Sequence, residues 1–169
     1  MANKMNPDEG MRMVLDMIKS KYVAERMEGT TSFTTVLLSA GVNHNIYNGK
    51  PYYYSDRQVE ELQGIITQLG ADLMQVNITQ EPQTEEDSPL CYGEDMVSKF
   101  KVLGKVIKLP YLIEEVLGKT VRWRKMHLSD KRETKYYNQF TDAELDMINE
   151  GIHSIGLKLC AVQLECKEK

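Results

Sequence analysis

Val59, Leu62, Ile66, Leu69 and Leu73 recur at alternating spacings of three and four. Only an α-helix brings such positions onto one face, so this stretch predicts a helix with one buried side. Ser55 with Gln58 three residues on forms a capping box that fixes its start. Gly64 and Gly70 weaken the helix intrinsically, so tertiary packing has to hold it, and Gly70 is also a candidate stop one turn early. A chain carrying this helix needs a partner layer for it.

Further helices are expected around it. Asn6 caps a helix that opens on Pro7, and Met11, Val14, Leu15, Ile18 and Tyr22 form one apolar stripe to about Met27. Pro110 opens a short helix that Gly118 closes, and Thr141 with Glu144 is a second capping box, starting a helix that Gly151 ends. Met96–Leu109 is open between helix and strand. Several stretches read as strands: Thr31–Ser39, the short edge Lys50–Tyr54, Met74–Thr79, Lys119–Leu128 and Leu157–Glu165. Thr134–Phe140 is the expected hairpin partner of Lys119–Leu128, across a turn at Ser129–Arg132. Mixed elements with a hairpin predict an α+β fold, with three or four helices on a largely antiparallel sheet of five or six strands.

The chain has 169 residues, 41% apolar and 27% charged, which suits a single domain over 1–169 and argues against general disorder. No apolar run is long enough for a signal segment or a membrane span, so no membrane association is expected. Cys91, Cys160 and Cys166 are odd in number. The last two, six apart on extended backbone, would stand roughly 20 Å apart, beyond disulfide reach. A reducing, cytoplasmic setting follows. Residues 80–95 carry Glu81, Glu85, Glu86, Asp87, Glu94 and Asp95 with no basic residue, and predict an exposed, mobile acidic loop.

Charge is distributed very unevenly. Residues 1–95 hold seven basic and fifteen acidic side chains, residues 96–137 eleven and four, and residues 138–169 three and six. A net charge of −4 thus hides a block of +7. Aromatic and cationic residues interleave within it: Arg122, Trp123, Arg124, Lys125, Lys131, Arg132, Lys135, Tyr136 and Tyr137. On a hairpin, Arg122 and Arg124 share one face, with Val121 and Trp123 on the other. Cations neutralise phosphates and exposed aromatic faces stack on unpaired bases, so these residues are the candidate nucleic-acid-binding set. The Tyr52–Tyr54 run, between Lys50 and Arg57, extends the same pattern. The alternation is equally that of a half-buried strand with Trp123 in the core, its cations facing solvent or the acidic loop.

Enzyme signatures are thin. His44 lies in a polar loop without a neighbouring nucleophile or carboxylate, and Glu150 with His153 has the spacing of a metal pair that a helix stop at Gly151 would break. No catalytic residue, metal or cofactor is assigned. The leading expectation is a small non-enzymatic nucleic-acid-binding or replication-accessory protein that favours single strands. The alternative is a protein-binding module, an assembly component or inhibitor, docking on an acidic protein surface. An enzyme of unknown reaction ranks third.

Overall fold

The computed structural model describes residues 4–27, 46–47, 50–51, 54–128 and 138–166. Helices dominate them: α1 (Pro7–Met17), α2 (Ser20–Arg26), α3 (Asp56–Leu73), α4 (Met96–Leu103), α5 (Val121–Leu128) and α6 (Asp142–Cys160), with a π-helical segment at Tyr111–Val116. Among the described residues the only strands are β1 (Ile46–Tyr47) and β2 (Lys50–Pro51), an antiparallel pair with Ile46 opposite Pro51. The expected α+β fold is therefore overturned. The protein is mostly helical, with no five- or six-stranded sheet among these residues. Thr31–Ser39 and Thr134–Tyr137 lie outside the described residues.

The local start signals act as the sequence implies. Asn6 Oδ1 accepts from Asp8 N at 2.9 Å and opens α1. Ser55 N donates to Gln58 Oε1 at 2.9 Å while Gln58 N donates to Ser55 Oγ at 3.2 Å. Thr141 and Glu144 exchange the same two bonds at 2.8 and 3.1 Å. The stripe from Met11 to Met27 is two helices rather than one, because Ile18 is extended and completely buried before the chain turns again at Ser20.

The chain divides into two compact units. The first comprises the described residues up to Ala71 together with those from Gly156. Its core is built by Val14, Leu15 and Ile18, by Leu62 and Ile66 of α3, and by Leu159 and Val162. A Cβ on Gly70 would lie 2.8 Å from Gly156 O and 2.7 Å from Cys160 Sγ, so Gly70 is a site of close helix contact and not a stop. The strand expected at Leu157–Glu165 is the end of α6 followed by one extended stretch. There Met5 N donates to Gln163 O at 2.7 Å and Glu165 N to Met5 O at 2.8 Å. On the other side Gln63 donates to Val162 O at 2.9 Å and accepts from Leu164 N at 2.7 Å. Cys91, Cys160 and Cys166 are all free.

Asp72–Ile155 forms the second unit. Leu145, Ile148, Ile152 and Ile155 of α6 are buried in it, and with Leu159 they continue one 3–4 stripe straight through Gly151. A Cβ on Gly151 would sit 2.9 Å from Leu117 Cδ2 and 3.1 Å from Leu112 Cδ1, which is why glycine stands where the π-helical segment crosses. Residues 74–79 are not a strand either. Ile78 N donates to Asn149 Oδ1 at 2.8 Å, Asn149 Nδ2 donates to Ile78 O at 3.1 Å, and His153 Nε2 donates to Val76 O at 2.6 Å. Helix side chains supply the partners that a neighbouring strand would have supplied.

The acidic segment is a closed loop. Gln83 and Gly93 exchange backbone bonds at 3.0 and 2.9 Å, and Cys91 is fully buried beneath them. Lys99 of α4, also fully buried, donates from Nζ to Thr79 O at 2.6 Å and Glu81 O at 2.5 Å. Its carboxylates at Glu85, Glu86, Asp87, Glu94 and Asp95 are exposed.

Candidate nucleic-acid interface

The region expected to form a basic hairpin begins with a helix. Gly118 takes a left-handed conformation (φ 70°) and lets Lys119 N reach back to Ile113 O at 2.9 Å, which ends the π-helical segment. Thr120 Oγ1 then accepts from Trp123 N at 3.0 Å, and this cap opens α5. The alternation from Lys119 to Leu128 misleads because two signals override it, a Thr cap and aromatic rings at Trp123 and His127, one helical turn apart.

Those two rings stack with centroids 4.0 Å apart. Trp123 meets Phe140 edge-on at 6.2 Å, and Phe140 stacks on Phe100 at 5.4 Å. His127 Nδ1 donates to Trp123 O at 3.0 Å, and its Nε2 stands 3.9 Å from Glu144 Oε2. Lys119 Nζ lies 5.4 Å from the centre of the Trp123 ring. One side of α5 is therefore committed to this aromatic cluster.

The helix separates the cations that a hairpin would have aligned. Arg124 points away from Arg122 and donates from Nε to Glu114 Oε2 at 2.8 Å. Arg122 and Lys125, three residues apart, share the outward face, are exposed, and have no partner among the described residues. Trp123 is half-buried, so it is a packing residue, not an open stacking face. Lys131, Arg132, Lys135, Tyr136 and Tyr137 lie outside the described residues. Lys99 is removed from the basic surface by its burial, and Tyr54, in the first unit, is buried too.

Of the other candidates, His44, Tyr52 and Tyr53 lie outside the described residues. Glu150 and His153 do share an unbroken helix, contrary to the expected stop, yet His153 Nε2 is engaged by Val76 O and Glu150 faces solvent. Among the described residues no three His, Cys, Asp or Glu side chains converge in a way that would hold a metal. None of their helices is long and apolar enough to cross a membrane. A hairpin over 119–140 gives no sign that Glu114, Thr120, Phe140 and Glu144 gather around α5. The Thr120-x-x-Trp123 cap and the Trp123–His127 spacing were the signals available.

What the arrangement offers chemically is a short rigid helix presenting two cations, with its third fixed by an acid. No family model, no curated protein and no solved structure matches this chain.

Proposed function

We propose that this chain is a cytoplasmic single-strand nucleic-acid-binding protein, whose outward face on α5 contacts phosphates. The observation that carries the reading is the sorting of side chains on that helix. Trp123 and His127 anchor it inward, Arg124 is paired with Glu114, and Arg122 and Lys125 stand together in solvent. The helix already fixes the backbone beneath the two cations, so meeting a phosphate costs side-chain freedom alone, and contacts of that kind carry sequence-independent affinity. Base stacking is assigned to Tyr136 and Tyr137, since Trp123 is spent on packing, and the preference for single strands rests on that pair.

Salt-graded binding to labelled single-stranded DNA, RNA and duplex tests the reading. Replacing Arg122 and Lys125 together by Ala should weaken binding equally across sequences. It should also flatten the log–log salt slope by about 1.4, the value for two lost phosphates on a single strand. Arg124→Ala should leave the slope alone. Tyr136→Ala with Tyr137→Ala should weaken binding to single strands at an unchanged slope. Binding that keeps its slope in the Arg122/Lys125 variant, or wild-type protein that binds no nucleic acid at low salt, overturns the proposal.

A further inference from the structure

The chain leaves α5 at Leu128 and is bonded to that helix again at Asn138, whose N donates to His127 O at 3.1 Å. That carbonyl belongs to the last turn of α5, where no helical amide is left to meet it. Asn138 is also the only non-glycine residue with a positive φ (60°) among the described residues. Asparagine takes this left-handed conformation at small cost, whereas a β-branched residue resists it. The side chain makes a second tie. Asn138 Oδ1 accepts from Val97 N at 2.7 Å, in the first turn of α4, beside the Asp95 cap on Ser98 N at 2.8 Å. Two residues on, the Phe140 ring meets the His127 ring at 5.3 Å, and Phe140 O accepts from Gln80 Nε2 at 2.7 Å. One residue thus joins the end of α5 to the start of α4, through its backbone on one side and its side chain on the other.

Tyr136 and Tyr137 immediately precede Asn138 in the sequence. Holding Asn138 at the end of α5 therefore tethers the pair to that end by at most about 7 Å of chain. Arg122 and Lys125 stand on the same helix, and α5 is only eight residues long. Phosphate contacts alone do not separate a single strand from a duplex, whereas stacking needs unpaired bases. Cations and rings tethered together act on one stretch of strand, because the second contact becomes intramolecular once the first is made.

We propose that Asn138 is the positioning residue that gives this site its preference for single strands, by anchoring the tyrosine pair at the C-terminal end of the helix that carries Arg122 and Lys125. The inference rests on the nucleic-acid reading of α5 and deepens it. Asn138 itself touches no nucleotide. It acts through the backbone bond to His127 O, which its left-handed conformation permits, and through the bond from Val97 N, which locks that conformation in place.

The test compares binding of oligo-dT and of a mixed-sequence duplex by the full chain at low salt. Asn138→Val, which cannot hold the left-handed conformation, should bind duplex as the wild type does. On oligo-dT it should lose at least about tenfold, the worth of one stacked base. Asn138→Asp keeps both the conformational tolerance and the acceptor for Val97 N, so it should keep the wild-type ratio of the two affinities. Exchange of the Asn138 amide in the wild type supplies a second measurement, and decides alone if Asn138→Val fails to fold. It should slow by about tenfold with oligo-dT at about ten times its Kd, and stay unchanged at the same saturation with duplex. The proposal is overturned, with the reading of α5 left standing, by a wild-type affinity ratio in Asn138→Val, whether from no loss or from an equal loss on duplex. The same holds for a lost ratio in Asn138→Asp, or for an Asn138 amide that oligo-dT does not slow or that duplex slows equally. Wild-type protein that binds neither nucleic acid overturns both.

Discussion

Gly64 and Gly70 sit in one helix and face opposite circumstances. A Cβ on Gly64 would meet nothing within 4 Å, whereas one on Gly70 would run into the backbone oxygen of Gly156. Gly64→Ala should therefore stabilise the protein by roughly 0.5–1 kcal/mol through helix propensity alone. Gly70→Ala gains the same propensity but must push a carbonyl aside, so it should destabilise by about 1–3 kcal/mol. Paired urea melts check the two signs. At Cys91, burial pushes the thiol up from 9.0 to about 12, against a smaller opposing pull from Lys99. The unfolded chain releases this proton above pH 9 and the folded protein keeps it, so the stability contributed is complete below pH 9 and is lost as pH climbs toward 12. The difference in unfolding free energy between wild type and Cys91→Ala should shrink over that window by at most about 1.36 kcal/mol per pH unit. Iodoacetamide with peptide mapping at pH 8 should leave Cys91 unlabelled until denaturant is added.

Capping boxes and apolar stripes make elements legible because each needs only residues three or four apart. Ser55–Gln58, Thr141–Glu144 and the stripe of α3 were readable for that reason, and so was the helix between Pro110 and Gly118. Gly151 was misread because a glycine inside a stripe means either a stop or a crossing, and the crossing partners Leu112 and Leu117 are remote in sequence. The stretch at 74–79 was misread because apolar, extended residues look alike whether a strand or Asn149 completes them. Lys99 gave no hint of burial, since nothing in its neighbourhood names Thr79 and Glu81 as its acceptors. Its own pKa is lowered, chiefly by desolvation, and the two carbonyls account for its being tolerated there. Lys99→Met should accordingly loosen the acidic loop. Amide exchange at Gln83 and Gly93 should speed up at least about tenfold, equivalent to about 1.4 kcal/mol, while Lys105→Met, at an exposed position, should change neither.

At the scale of the whole molecule, a net charge of −4 and a block of +7 make opposite forecasts for anionic surfaces. The sum predicts repulsion. The block predicts attraction at short range, because only charges within about a Debye length of about 10 Å at 0.1 M salt are felt. The protein should therefore be retained on heparin at pH 7 and about 0.1 M salt despite its negative total, and the Arg122/Lys125 double Ala variant should elute at lower salt. Passage of the wild type without retention would mean that the acidic residues already neutralise the block. The amides of Gln63 and Asn149 bear on a different property. Each covers the backbone groups of an extended stretch with a donor and an acceptor on one side chain, so those stretches, which are apolar and β-prone, present fewer open groups to another chain. A row of unsatisfied backbone groups on such a sequence is a template for intermolecular strand addition. The two amides thus reduce the number of backbone groups that those stretches could offer to a strand of another chain. Gln63→Ala or Asn149→Ala should therefore raise the tendency to aggregate on mild heating, as light scattering would read.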